Sequence, residues 1–476
     1  MTDQQQPLVA GTRPVASVAR AVRSSWSSFL TLPILWMYLG PPILRPPTGR
    51  GAMESVAGQF DVWNVLRLVW WAAAAVVAVL AIYLHQRHVR AFVRTMPQMV
   101  LWSLVFVSTL VVSSVYSPSP LFTFANAVMM VALVVAAFDV GLRLYAGTIE
   151  LDTVLRGLLV ASVAIQALIL GAFFVVPGMV SGVYGFGLRL IGGNLGSNTG
   201  ASIVVLFASV YFLMRRPGRA APWYWLLIVV SSVMLLLGQT RTAYVGVGLG
   251  LVYFALQWVV VAAPRARALA LGVALVTAGL VPPAVLAIDT VTGTASVPTA
   301  LGYLIRDQGS LRTGSGRTAV GGLLLEHVRE QPWGLGYSAG PRVVLQTSFS
   351  ELAEQGVHAE GIGNAHNVFL EVLAGGGVLS LFAYLATFVW VAFNLHRTNA
   401  PGAMLARVLF LYTVLSGLTA SNGVLPFFQA SVLAWAVFGI AAGLNGMRIR
   451  VDASTERLPV QPTLRASDSG HLGLRG

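Results

Sequence analysis

Long apolar stretches, separated by short polar segments that carry arginine, set the pattern of this chain from end to end. They fall near residues 26–44, 63–84, 97–115, 120–141, 154–176, 199–214, 222–239, 243–262, 268–288, 378–395, 407–422 and 426–445. Each run approaches the length of about 20 residues that an α-helix needs to cross the hydrocarbon core of a bilayer. Barrel strands alternate apolar and polar positions, so uninterrupted runs exclude them. The pattern predicts an all-α polytopic membrane protein with about twelve transmembrane helices. The first run contains Pro33, Pro41 and Pro42, and no clean small-residue cleavage site follows it. It is expected to be an uncleaved span rather than a signal peptide.

The arginines orient the pattern. Arg87, Arg90 and Arg94, Arg143, Arg215, Arg216 and Arg219, Arg265 and Arg267, Arg397 and Arg407, and the tail from Arg448 all fall at one end of the runs, with the N-terminal tail. Basic segments stay on the cytoplasmic side, so both termini are predicted to lie there. The expected organisation is a tail over 1–25, transmembrane helices over 26–288, a periplasmic loop over 289–365, further helices over 366–446 and a second tail over 447–476. The loop has its own pattern. Its stretch "SGRTAVGGLLLEHVREQPWGLGY" predicts a helix that starts near Ser315 and stops at Pro332, with Gly334 and Gly336 turning the chain afterwards. Val320, Leu323, Leu324 and Val328 recur at helical spacing. Such a helix suits a membrane interface or the cover of a cavity.

Composition narrows the function. The chain has 476 residues, 56% hydrophobic and 10% charged, against about 25% charged in soluble domains. A soluble enzyme is excluded. Without cysteine there is no disulfide, thiolate metal site or cysteine nucleophile. The formal net charge is +13, and all 30 basic residues are arginine. Codon bias is one reading of that choice, and arginine forks also suit bidentate recognition of phosphate. Without lysine there is no P-loop. The "HAE" at 358–360 lacks the cysteines a zinc deaminase needs. No carboxylate or histidine pair on the outer side has metal-site spacing, so no metal is expected. Gly246 and Gly250 form a small-xxx-small pair that reads as helix packing.

Four outward patches carry candidate chemistry. "YGFGLRLIGGNLGSN" holds Arg189, Asn194 and Asn198, with glycines that let the backbone approach a ligand. "LGQTRTAYVG" places Arg241 in a tight turn on the arginine-poor side, where it either binds an anion or caps the preceding helix. Arg317 in "TGSGRTAV" stands at a helix start, a position that favours anions; it equally suits pairing with Glu360 or Asp307. Last comes "GIGNAHNVFLEVLAGGG", where His366 and Asn367 adjoin a membrane run. Asn364 or Asn367 as a helix cap is one reading, and His366 as a catalytic base is the other.

In this order, "RLIGGNLGSN", "GQTRTAYVGVGLG", "GSGRTAV" with "QPWGLGY", and "AHNVFLEVLAGGGVLSL" resemble the O-antigen ligase and Wzy-type O-antigen polymerase superfamily. The resemblance runs from about residue 184 to 395, and its most specific part is the His-Asn-x-x-Leu-Glu element after a long outward loop. One departure is "NLGSN", where many relatives have Asn-Pro-Asn. The resemblance implies a GT-C-type membrane glycosyltransferase fold and an undecaprenyl-diphosphate-linked glycan donor. It implies a glycan or lipid A-core-like acceptor, and a site facing the periplasm from the inner membrane among membrane lipids. Neither metal, cofactor nor nucleic acid is implied.

Transfer from a lipid diphosphate builds charge on the leaving group, and Arg189, Arg241 and Arg317 are the candidates to hold it. His366, with an ordinary pKa of about 6.5 for its residue type, suits the base that takes the acceptor proton. Asn194, Asn198, Asn367 and Glu371 are expected to support these groups. The one large loop ahead of the histidine motif looks ligase-like. A Wzy-type polymerase is the alternative within the family, and a protein O-oligosaccharyltransferase is a third member. A lipid-linked glycan transporter, from another class, would spread its charges through the membrane depth, whereas these cluster on one face.

Overall fold

The computed structural model describes residues 31–40, 62–176, 181–184, 187–190, 197–215, 220–238, 241–261, 317–354, 365–400, 402–419, 425 and 429–456. A short helix α1 (Pro33–Leu39) opens the described chain, followed by α2 (Val62–Leu84), α3 (Gln86–Thr95), α4 (Pro97–Val112), α5 (Pro120–Ala146) and α6 (Leu151–Val175). Next come strands β1 (Ser181–Tyr184) and β2 (Gly187–Leu190), then α7 (Ser197–Arg215), α8 (Ala221–Gly238) and α9 (Arg241–Val261). The long loop contributes α10 (Arg317–Glu330), α11 (Ala339–Thr347) and α12 (Phe349–Glu354). Three further helices close the bundle: α13 (Val368–Arg397), α14 (Ala403–Thr419) and α15 (Gln429–Glu456).

Among the described residues, five helices are long and apolar enough to cross a membrane: α5, α6, α7, α13 and α15. A sixth follows if α2 and α3, bent by 92°, count as one span. Shorter apolar helices occupy Pro97–Val112, Ala221–Leu235, Ala243–Gln257 and Ala403–Leu418. Each of these overlaps a predicted run except α3, which occupies the polar segment between two runs. The run at 268–288 and most of the loop from 289 lie outside the described residues. Within the run at 26–44, α1 is buried in the bundle, where Ser162 Oγ donates to Tyr38 Oη at 3.0 Å.

The architecture is helical, as predicted, with one short hairpin among the described residues. Residues 181–184 and 187–190 pair antiparallel, with Ser181 opposite Leu190, Gly182 opposite Arg189, Val183 opposite Leu188 and Tyr184 opposite Gly187. Val183 and Tyr184 favour strands, and the connection is short and contains glycine, which is a hairpin signal between two helices.

Close helix contacts rest on glycine. On α15, Gly439 faces the Ala137 carbonyl of α5, and Gly443 faces Leu144. Any side chain there would push the two backbones apart. Gly246 of α9 packs on Tyr412, and Gly250 packs on Phe207 and Val408. The small-xxx-small pair is thus a packing device, as its spacing predicts. At the arginine-rich end, Arg143 pairs with Asp139 at 2.8 Å and Arg215 with Asp152 at 2.7 Å. Arg407 caps the end of α13 through the carbonyls of Leu395, His396 and Thr398.

The opposite end is built around a broken helix. Gly377 interrupts α13 with φ 81° and ψ −177°. A break in a membrane helix frees backbone groups, which cost several kcal/mol each in hydrocarbon unless repaired. The loop after Pro332 repairs them. Leu335 N–H donates to Ala374 O at 2.7 Å, Gly336 N–H to Gly375 O at 3.0 Å, and Val378 N–H to Pro332 O at 3.0 Å. Close approach of two backbones demands glycine on both sides. Gly334 and Gly336 have φ 94° and 102°, and a Cβ on Gly334 would strike Gly377 N while one on Gly336 would strike Ser117. "QPWGLGY" and "LAGGG" are therefore two halves of one joint.

Candidate functional site

The loop elements form a small core on the N-terminal half of α13. Val320, Leu324 and Val328 of α10 are buried with Leu335, Leu345, Leu352, Ala365 and Ala374. The predicted helical stripe is thus real. It faces α13 and its neighbouring loop helices rather than open bilayer. Tyr116 Oη donates to Trp333 O at 2.7 Å, and Ser113 Oγ accepts from Tyr337 N–H at 3.0 Å. These bonds tie the loop to the connection between α4 and α5.

His366 sits where this small core meets α13. It is half-buried, with φ 50°, a left-handed backbone that non-glycine residues adopt uncommonly. Both flanks hold it. Asn367 is the N-cap of α13: its Oδ1 accepts from Phe369 N–H at 2.9 Å and Leu370 N–H at 3.0 Å. Its Nδ2 donates to Leu418 O on α14 at 3.2 Å. On the other flank, Glu371 Oε2 accepts from Ala365 N–H at 2.9 Å. The cap and the catalytic candidate are therefore different residues.

Glu371 is fully buried, which calls for a cation. Arg342 of α11 lies close enough for its charge to be felt there. Burial lowers the Arg342 pKa, and the nearby Glu371 carboxylate opposes that shift. Its guanidinium also lies 5.5 Å from the centre of the Phe122 ring on α5. Tyr337 shares this pocket; burial first, and then Glu371, hold its phenol well above the usual range. Arg342 was legible as an arginine on the arginine-poor side, but nothing local linked it to Glu371. Removing a buried partner leaves an uncompensated charge, at a cost of about 3–5 kcal/mol. Glu371→Ala is expected to lower the melting temperature of the purified chain sharply. Glu371→Gln, which keeps an acceptor for Ala365, should fall between the two. Equal melting of wild type and the Ala variant would show that the pair holds nothing.

The other candidates stand on separate elements. Arg189 stands on β2, and the hairpin packs on α8. Asn198 near the start of α7 donates through Nδ2 to Met234 O of α8 at 2.8 Å, and its Oδ1 accepts from Ser202 at 3.3 Å. Ser202 accepts from Gln166 of α6 at 2.9 Å. Asn198 thus supports the region by joining helices. Arg241 is the first residue of α9. That helix runs against α14 with Gly246 at Tyr412 and Gly250 at Val408. The same antiparallel register carries residue 241 to the level of Gly417, which touches Val368 at the start of α13. So the backbone at Arg241 comes level with the His366 turn. Arg317 opens α10 with an exposed side chain. Asn194, Asp307 and Glu360 lie outside the described residues.

The arrangement is that of a multi-helix membrane protein with a histidine turn at one end, braced by a structured loop and level with an arginine-bearing helix start. Residues 226–385, about a third of the chain, match the family model described as O-antigen ligase. That match supports the O-antigen ligase and Wzy superfamily, as the motifs predict, and its span includes Arg241, Arg317 and His366. Comparison with curated proteins gives no match.

Proposed function

We propose that this chain is a metal-independent glycosyltransferase that moves a glycan from undecaprenyl diphosphate to an acceptor hydroxyl, most readily as an O-antigen ligase. The reading includes about twelve membrane helices in a GT-C arrangement and a site at the periplasmic face of the bacterial inner membrane. The observation that carries it is the His366 turn, held rigid by Asn367 and Glu371 and level with the start of α9 at Arg241. In this scheme the acceptor oxygen attacks the anomeric carbon while His366 takes its proton. The bond from that carbon to the diphosphate oxygen breaks, and Arg189 and Arg241, joined by Arg317, hold the departing charge. The loop that braces the histidine from outside favours the ligase over the polymerase, because it offers a surface for a large acceptor.

A transfer assay tests this directly. The purified chain is given a defined lipid-linked donor with either a lipid A-core-like acceptor or a second lipid-linked repeat unit. A ligase labels the first acceptor, whereas a polymerase lengthens the second. EDTA is expected to leave transfer intact. A strict need for Mg²⁺ or Mn²⁺ would refute the metal-free scheme, and inactivity on both acceptors would refute the transferase.

A further inference from the structure

The arginine-rich end carries a second surface that the proposed reaction does not use. Helix α3 meets α2 at a 92° bend, so it lies across the end of the bundle. Its sequence divides cleanly at helical spacing. Arg87, Arg90 and Arg94 recur at i, i+3 and i+7 along one stripe, and Val89, Phe92, Val93 and Met96 line the opposite one. The structure respects that division: the three arginines are exposed, and Phe92 is fully buried.

Phe92 fixes the helix in place. It lies 5.1 Å from the Phe138 ring and 5.4 Å from the Tyr145 ring, in a notch kept open by Gly141 and Gly446. Asn445 Nδ2 donates to Thr95 O at 3.2 Å and closes the far end. The cationic stripe is thereby held facing away from the bundle. Tyr83 and Leu84, at the end of α2, expose large apolar surface beside it. The helix therefore sits where an apolar surface gives way to a charged one.

Among the described residues the stripe has no paired carboxylate. At this end Asp139 and Asp152 are already paired with Arg143 and Arg215, and no carboxylate among the described residues pairs with Arg87, Arg90 or Arg94. Guanidinium groups are suited to bidentate contact with phosphate. We propose that α3 is an interfacial helix that binds the phosphates of anionic phospholipids, holding this end of the bundle against a negatively charged leaflet. An amphipathic helix lying in the interface, with cations on its polar face, is built for that surface. This inference is independent of the glycosyl-transfer reading.

Native mass spectrometry of the detergent-purified full chain, titrated with phosphatidylglycerol or phosphatidylcholine, tests it. Each arginine near an anionic surface contributes about fivefold in binding. Phosphatidylglycerol is expected to bind at least tenfold tighter than phosphatidylcholine. The variant with Arg87→Gln, Arg90→Gln and Arg94→Gln should lose most of that preference, and the corresponding triple lysine variant should keep most of it. Equal binding of the two lipids by wild type would overturn the proposal. So would an undiminished preference in the glutamine variant. If the triple glutamine variant fails to fold, Arg90→Gln alone decides: a preference reduced by about fivefold supports the site, and an unchanged one refutes it.

Discussion

Replacing His366 with glutamine is expected to abolish glycan transfer while the chain stays folded and able to hold its donor. The expected loss is about 10²–10⁴-fold, the usual contribution of a positioned general base. The structure sharpens this test because it assigns the capping work to other residues. Asn367 Oδ1 takes the free N–H groups of the first turn of α13, and Glu371 Oε2 takes that of Ala365. If the histidine served only the helix start, its removal would cost little beyond about 0.5–2 kcal/mol of stability. Activity would then fall only as folded protein falls. His366→Asn adds a further control. Asparagine tolerates the left-handed backbone at this position better than most residues, yet it cannot take up a proton near neutral pH. Both variants are expected to melt near wild type and to be inactive. Substantial turnover by the glutamine variant would demote His366 to an orienting group and pass the proton to solvent or a loop carboxylate.

What the sequence revealed, and what it hid, follows the range of the interactions. Apolar runs, the stripe on α10 and the Gly246–Gly250 packing pair depend on neighbours a few residues apart, and the structure reproduces them. The start of α13 was harder to place. Its predicted run begins at 378, because three consecutive glycines look like an end, whereas the helix begins at Val368. The groups that let it cross Gly377 come from Pro332, Leu335 and Gly336, some forty residues earlier. Arg342 was hidden for the same reason: the groups near it, Glu371 and Phe122, lie on two distant helices. Asn198 shows the reverse case. Its polar side chain in a candidate patch suggested help near a ligand, but the structure directs its amide into the joint between α7 and α8.

Arg241→Lys is expected to lose about 10²–10³-fold in transfer although the charge is kept. Removing one preorganised donor from an anion-stabilising site typically costs this much. The position supports the role on backbone evidence. Arg241 opens α9, and a helix of that length presents free N–H groups and a positive end to an anion. The register with α14 brings that end level with Gly417 and Val368, beside the His366 turn. A lysine would serve as well as arginine if the residue only capped the end of α8, since one donor and one charge suffice there. It cannot reproduce a planar fork that meets two oxygens at once. The same reasoning applies to Arg189 on β2, in the hairpin that packs on α8. Both lysine variants should keep their melting temperatures and lose mainly kcat, because charge on the diphosphate grows toward the transition state. A folded Arg241→Lys variant with near-normal kcat would return Arg241 to the capping role and leave the diphosphate to other groups.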